Sequence, residues 1–531
     1  MNKVPVLFDV NGSFGKGAAG EASFATIRDR LDFMDRFGIS RSLVWNVESV
    51  QYHALSSNRR LCDEIHSTPS APERIVPALS LSGLMTYERD GIAGLVEQMT
   101  GMHTRALRFT SVFGRLTLLQ LEPVIRGIRH LRPFIVLRHD QATGPDVLEF
   151  SNLFPDVPLV LTDAMWGPCV PLFELMRRRP NVLMDNSWLH TAGGIELVVK
   201  HFGAERLLFG TGPKAHNAAA VAALARADIS AGERRLIAHG NLDRLTGLST
   251  RAVPAAAPRP GHTLWTRFLS GKPLPGDLVD AHGHIGPSGG YVLEAQEEKP
   301  QIRAALKTMD ATGIRTMIVS GSAALLGSPV AGNDLLATVL RPYGDRFGGY
   351  VAFNPCYADE IVPHFDRYFA GPLFLGFKTL CDYWRVPITD KRFEPMWRYA
   401  NRRRLPVLSH TWDGPYDSPA MFTHLAKRYP HVSFLLGHSG GGDNGRREAV
   451  ALARQQPNVY LEWCGSFCSS VPWEETLRQV KPQQVVFGTD AMGHDIHWEL
   501  GRLLSLDVPD AVLKPILGAN VRRILALRKR L

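Results

Sequence analysis

Short apolar runs recur along the second half of this chain. Each ends in a residue able to bind a metal or carry a proton, and each is parted from the next by a helix-compatible stretch. The first is Leu278-Val279-Asp280-Ala281-His282-Gly283-His284-Ile285-Gly286, followed by Phe374-Leu375-Gly376-Phe377-Lys378, Leu405-Pro406-Val407-Leu408-Ser409-His410, Val432-Ser433-Phe434-Leu435-Leu436-Gly437-His438 and Gln484-Val485-Val486-Phe487-Gly488-Thr489-Asp490. Such alternation predicts parallel strands joined by helical crossovers. Residues i and i+2 of a strand share a face, so His282 and His284 point the same way and can grip one metal ion. A lone pair of this kind arises by chance. Its repetition at the ends of later strands does not, and polar residues at the C-terminal ends of barrel strands are where such folds place catalysis.

From about Gly276 onward the chain resembles the amidohydrolase superfamily, in particular the amidohydrolase-related branch that includes aminocarboxymuconate-semialdehyde decarboxylase-like enzymes. The resemblance is carried by Asp280-Ala-His282-Gly-His284, Gly376-Phe-Lys378, Pro406-Val-Leu-Ser-His410, Gly437-His438-Ser-Gly-Gly, Asn458-Val-Tyr-Leu-Glu, Phe487-Gly-Thr-Asp490 and Gly518-Ala-Asn520, in the expected order. It implies a (β/α)8 TIM-like barrel with a metal-activated water. His282, His284, His410 and Asp490 would form the metal shell, with Asp490 also taking a proton from the water. His438 would bind a second metal, or position the water and the developing oxyanion. Lys378, if carboxylated, would bridge two ions; unmodified, it would face a substrate carboxylate. A single ion is the preferred layout. Zn2+ is the expected metal, from the imidazole and carboxylate donors, with another divalent ion as the alternative.

Tyr383 and Arg385, in the loop after the Lys378 run, and Trp412, after His410, are the candidate substrate contacts. The aromatics would stack on a planar substrate and Arg385 would pair with a carboxylate. Loop packing is the ordinary fate of such residues, and His494 and His497 read as nothing more than that. The loop Gly286-Pro-Ser-Gly-Gly290 is a candidate lid.

The 531 residues exceed one ordinary domain and accommodate two barrels of about 250 residues each. With 45% hydrophobic and 21% charged residues, the composition is that of a globular protein. A formal charge of +9 is spread along the chain, and the clusters Arg177-Arg178-Arg179 and Arg402-Arg403-Arg404 sit where helices would end, so a nucleic-acid surface is not indicated. The six cysteines form no disulfide framework, and Cys464 and Cys468 are spaced too loosely for a zinc site. No signal peptide or membrane span is apparent, and a cytoplasmic location is expected. The expected partner is a small molecule rather than nucleic acid or a membrane, and self-association into a homo-oligomer stays open.

The first half repeats the second. Leu7-Phe8-Asp9-Val10-Asn11-Gly12-Ser13-Phe14-Gly15 aligns with the His282 run. Asn181-Val182-Leu183-Met184-Asp185 aligns with Asn458 to Glu462, Leu207-Leu208-Phe209-Gly210-Thr211-Gly212 with the Asp490 run, and Gly240-Asn241 with Ala519-Asn520, all at offsets of about 270 to 280 residues. Where the second copy has His282, His284, His438 and Asp490, the first has Asn11, Ser13, Asp163 and Gly212. Arg108 stands for Lys378, and His139 is the candidate counterpart of His410, to within one residue. Residues 1–249 therefore read as a degenerate barrel without metal ligands, 250–261 as a Pro/Ala-rich linker and 262–531 as the metal-dependent barrel. A separate non-metal activity of the first half, through Asp163, Arg108 and His139, is the alternative.

The leading functional reading is a metal-dependent hydrolase that cleaves a C–N or C–O bond of a small, anionic or aromatic substrate. A decarboxylase or hydratase on the same barrel is the runner-up, and a non-catalytic scaffold or binding protein the third reading.

Overall fold

The computed structural model describes residues 6–18, 24–110, 116–164, 169–212, 218–252, 261–465 and 471–529. The chain divides into two compact units, Met1–Ala257 and Pro258–Leu531. The division falls inside the expected linker, of which residues 253–260 lie outside the described residues.

The second unit is an eight-stranded parallel barrel. Its strands are β10 (Leu278–Ile285), β11 (Ile314–Gly321), β12 (Phe347–Ala352), β13 (Phe374–Thr379), β14 (Pro406–His410), β15 (Ser433–Gly437), β16 (Val459–Trp463) and β17 (Val485–Phe487), paired in sequence order. The ring closes where Gly283 of β10 bridges Ala491 and where the Asp490 N–H donates to the His282 carbonyl at 2.7 Å. Helices between the strands cover the sheet, so both faces are buried and the strands are apolar almost throughout. Val279, Ala281, Ile318, Tyr350, Leu408 and Leu435 belong to one buried cluster below the polar strand ends. The helix Glu298–Thr312 stops at Gly313, whose φ of 90° a side chain would strain.

The first unit has β1 (Leu7–Phe14), β2 (Ile39–Asn46), β3 (Ile75–Pro77), β4 (Leu79–Leu81), β5 (Ala106–Phe109), β6 (Phe134–Arg138), β7 (Leu159–Thr162), β8 (Val182–Asp185) and β9 (Leu207–Leu208). A second continuous barrel is not shown here. The strands form two parallel sheets, β1-β2-β3 and β4-β5-β6-β7-β8-β9. The break falls at Ala78, directly after Pro77. Proline has no N–H to give to a ladder, so the strand is interrupted there. The Ala78 N–H still donates to Val44 O at 2.8 Å, and the Val10 N–H to Phe209 O at 2.9 Å.

No helix among the described residues is long and apolar enough to cross a membrane.

Candidate metal centre

The site begins with a bulge. In β10, Asp280 pairs with Met317 and Gly283 with Val319, so one extra residue of β10 is fitted between them. Bulges re-aim side chains, and this one lies at His282. The Asp280 carboxylate holds it in place. It accepts the N–H groups of His282 and Thr489, both at 3.0 Å, and the Thr489 hydroxyl at 2.5 Å. Burial pushes Asp280 up to about 7.

His282 and His284 lie with ring centroids 5.2 Å apart. Asp490 turns back toward them through a left-handed backbone at φ 56°. Its Oδ1 lies 2.9 Å from His284 Nε2 and 3.6 Å from His282 Nε2. The ligating atoms of these residues all fall within 4.8 Å of one another. The opposite nitrogens are engaged: His282 Nδ1 with Glu462 Oε2 at 2.9 Å, His284 Nδ1 with Ser320 Oγ at 2.9 Å, and His410 Nδ1 with Asp417 Oδ2 at 2.9 Å. Such partners fix the tautomer and leave Nε2 as the ligand atom. Two imidazoles and a carboxylate at this spacing fit a divalent cation.

The electrostatics agree. Burial takes His282 and His438 well below the usual imidazole range, so both are neutral near pH 7 and able to bind metal. Burial opposes ionisation of Asp490, but His282, His284 and His494 together hold its carboxyl well below the usual range. Burial also lowers Lys378. Its Nζ lies 2.7 Å from His282 Nε2, and a hydrogen bond there uses the lone pair a metal needs. Metal binding at this atom therefore requires Lys378 to move or to be modified.

His410 and His438 stand beside this group, their rings 5.0 Å apart, with His438 5.2 Å from His282. His438 sits at φ 62°, with its N–H donating to Glu462 Oε2 at 3.1 Å. Trp412 stacks on His410 at 6.0 Å and Tyr383 meets it edge-on at 5.9 Å. Both aromatics keep exposed surface, 37% for Trp412 and 59% for Tyr383, and line the approach to His410. Arg385 is exposed and caps the short helix Cys381–Trp384.

Several residues of the site were not singled out from sequence. Glu462, at the end of β16, is fully buried and receives His282, the His438 N–H and the Cys464 thiol on one oxygen. Asp417, fully buried, lies seven residues beyond the histidine it orients. Cys464, dismissed on its spacing from Cys468, has Sγ 3.2 Å from His282 Nδ1 and 3.4 Å from His438 Nδ1. Its strand places it there, not a cysteine motif; Cys468 lies outside the described residues. Tyr291 packs where any Cβ on Gly493 would strike its ring at 2.7 Å, so the loop after β10 reaches the turn after Asp490. Glu462 closes the Asn458-Val-Tyr-Leu-Glu run that carries the resemblance and aligns with Asp185, whereas no sequence signal marks Cys464.

The first unit repeats these contacts with other atoms. Asp9 accepts the N–H groups of Asn11 and Thr211 as Asp280 accepts those of His282 and Thr489. β1 carries the same bulge, between Asp9 and Gly12. Arg108 Nη1 donates to Asn11 Oδ1 at 3.1 Å, where Lys378 meets His282. Asn11 Nδ2 lies 3.1 Å from Asp163 Oδ1 and 3.2 Å from Asp185 Oδ2. Asp163 shares the left-handed backbone of His438, and Gly212 that of Asp490. Arg138 pairs with Thr162 as His410 pairs with Gly437, so the counterpart of His410 is Arg138 and not His139.

Residues 279–527 match the sequence model of the amidohydrolase family. The second half of the chain is an amidohydrolase domain. No match was found among curated proteins. Among solved structures, this chain is similar to a dihydroxybenzoic acid decarboxylase from Polaromonas sp. JS666 with bound manganese and 2-nitroresorcinol, at 17% identity and a TM-score of 0.40 over 48% of this chain and 98% of that one. A 2,6-dihydroxybenzoate decarboxylase from Rhizobium is similar at 18% identity and a TM-score of 0.39, over 48% of this chain and 99% of that one. A 5-carboxyvanillate decarboxylase from Sphingomonas paucimobilis is similar at 13% and 0.37, over 47% and 99%.

Proposed function

We propose that the amidohydrolase domain is a metal-dependent enzyme that decarboxylates a small, planar carboxylic acid. The observation that carries this reading is the His410–Asp417 pair set against Trp412 and Tyr383. A flat substrate ring fits beside these aromatics. Loss of CO2 leaves a carbon that must take up a proton. Asp417, buried beneath His410, meets its Nδ1 at 2.9 Å and fixes the orientation of the ring. His410 then gives its proton to the carbon bearing the carboxylate, and the C–C bonding pair returns to the ring as CO2 leaves. His282, His284 and Asp490 would hold the divalent ion, with His438 beside His282, while His410 is kept out of the metal shell for the proton transfer. When bound, that ion supplies a Lewis acid for an anionic substrate oxygen. Lys378, displaced from His282, adds a second donor for the same anionic group.

Hydrolysis of a C–N or C–O bond is the second reading, favoured by the ionised Asp490 carboxylate beside His284. Against it, Asp490 is held too low to be a strong base near neutral pH. Metal analysis of the purified protein, followed by a panel of aromatic carboxylic acids assayed for CO2 and a panel of amides, esters and lactones assayed for cleavage, separates the two. Cleavage of the second panel without CO2 from the first overturns the proposal. Absence of bound metal together with inactivity on both panels would favour the scaffold reading.

We infer further that the first unit is a degenerate copy of the same barrel and chemically silent. The mirrored contacts around Asp9 and Asp280 support this, as does the exchange of imidazole and carboxylate for Asn11, Ser13 and Gly212. Retained turnover in an Asp163→Asn variant is the expected result.

A further inference from the structure

We propose that Cys464, His438 and His282 form a second, thiolate-bearing cation position beside the His282–His284–Asp490 group. Soft ions such as Cd2+ or Zn2+ take it, whereas Mn2+ takes the other. This rests on the reading of the domain as a metal site. Around a tetrahedral zinc, a sulfur and a nitrogen ligand stand about 3.5 Å apart, from bond lengths near 2.3 and 2.05 Å. Cys464 Sγ already lies 3.2 Å from His282 Nδ1 and 3.4 Å from His438 Nδ1, each within tenths of an ångström of that separation, and the three atoms all lie within 4.8 Å of one another. Glu462 Oε2, 3.3 Å from Sγ, is within reach as a further donor.

Donor softness decides which ion goes where. Thiolate with imidazole selects zinc-like and softer ions; carboxylate with imidazole suits manganese. A neutral imidazole has one lone pair. His282 therefore serves either position, through Nδ1 or Nε2, but not both at once. Binding at Nδ1 moves the ring proton to Nε2, so Lys378 Nζ, 2.7 Å from that atom, must turn aside and leave Asp490 Oδ1, now 3.6 Å away, as the acceptor to be approached; the thiol proton is released to solvent. The chain contains its own comparison. Ser187 stands where Cys464 does, but its hydroxyl lies among carboxylates, 2.9 Å from Asp185 Oδ1 and 3.1 Å from Asp163 Oδ1. The second unit has exchanged both hydroxyl for thiol and the Asp163 carboxylate for the His438 imidazole, and both exchanges soften the donors.

The test uses the full chain with Cys356→Ser, because Cys356 is exposed and would bind Cd2+ by itself. Cd2+ is titrated while the near-ultraviolet sulfur-to-metal charge-transfer band is followed, and Mn2+ binding is read by electron paramagnetic resonance. Cys464→Ser should abolish the band and weaken Cd2+ by at least the about tenfold that even an indirect metal partner costs, leaving Mn2+ unchanged. Ser187 indicates that a serine fits here. His284→Ala should lose Mn2+ and keep the band. A band or Cd2+ affinity that survives Cys464→Ser overturns the proposal, as does His284→Ala losing both ions together. Mn2+ binding with no charge-transfer band in the parent sinks the thiolate position alone. Binding of neither ion sinks the metal reading itself.

Discussion

Glu462→Gln should loosen the metal centre without touching a metal ligand. One carboxylate oxygen receives His282 Nδ1 at 2.9 Å, the His438 N–H at 3.1 Å and the Cys464 thiol at 3.3 Å; the other, Oε1, has no hydrogen-bond partner among the described residues. A glutamine that keeps its oxygen toward these donors must place its NH2 where Oε1 was, facing Gly488. A buried, unsatisfied amide costs about 1–3 kcal/mol. Turned the other way, its NH2 confronts three donors. Either arrangement frees His282 to rotate, and loss of such an orienting partner costs about 10- to 100-fold in metal affinity, or about 1.4–2.7 kcal/mol. Burial pushes Glu462 up to about 7. Below that pH the wild type is itself protonated and resembles the amide, so the gap between the proteins should be small near pH 6 and full by pH 8. Calorimetric Mn2+ titration at both pH values, with thermal melts of the metal-free proteins, checks this. Equal affinity and equal melting at pH 8 would refute the positioning role.

Asp280→Asn should flatten the pH dependence of stability in the metal-free protein. The folded carboxyl titrates at about 7, above its unfolded value, so the folded state binds the extra proton and stability falls as pH rises from about 4 to about 7, then levels. Melting temperature against pH, compared between wild type and variant, reads this difference. Gly488→Ala would bring a Cβ to 2.1 Å from Glu462 Oε1 and 2.6 Å from His282 Cβ, and should lower both stability and metal affinity. Gly210→Ala, 2.3 Å from Asp185 Oδ2, should destabilise by about 1–3 kcal/mol with metal affinity intact; melts and metal titration of the pair compare the two units directly. Asp490→Asn should preserve the fold by circular dichroism while metal binding and turnover fall.

The periodicity that makes a parallel strand also orders its side chains, so the strand-end residues could be read before the structure. His282, His284 and Asp490 converge because they end β10 and follow β17, neighbours in a closed ring. Other parts of the site were hidden for physical reasons. The bulge at His282 is a property of the pairing between β10 and β11, and no single strand's sequence encodes it. Asp417 reaches His410 from a loop whose course depends on tertiary packing. Cys464 was judged by its separation from another cysteine, whereas its partners are histidines on distant strands. In the first unit the strands part into two sheets beside a single proline, and apolar periodicity does not reveal which backbone donors a ladder needs.

The two units differ most in where their positive charge resides. In the first, Arg30 pairs with Asp9 in the interior, and Arg108 reaches Asn11 between Asp163 and Asp185. The fold supplies its own cations, two guanidinium groups set among the carboxylates of Asp9, Asp163 and Asp185. In the second, the space above the bulge glycine Gly283 is faced by Val319 and Met317, whereas Arg30 and Ser42 face the matching Gly12. Asp280 thus has no guanidinium, and Lys378 is the cation that touches the His282 group. Fully buried Glu462 and nearly buried Asp490 stand there among imidazoles that burial keeps neutral. Buried carboxylates without matching cations are costly unless paired or coordinated. A dication would offset that deficit in the second unit, where the first unit already has buried arginine beside its carboxylates. Buried arginine in the first unit thus stands where the second has imidazoles and a carboxylate suited to a cation, and each arrangement answers the same need to offset buried carboxylates.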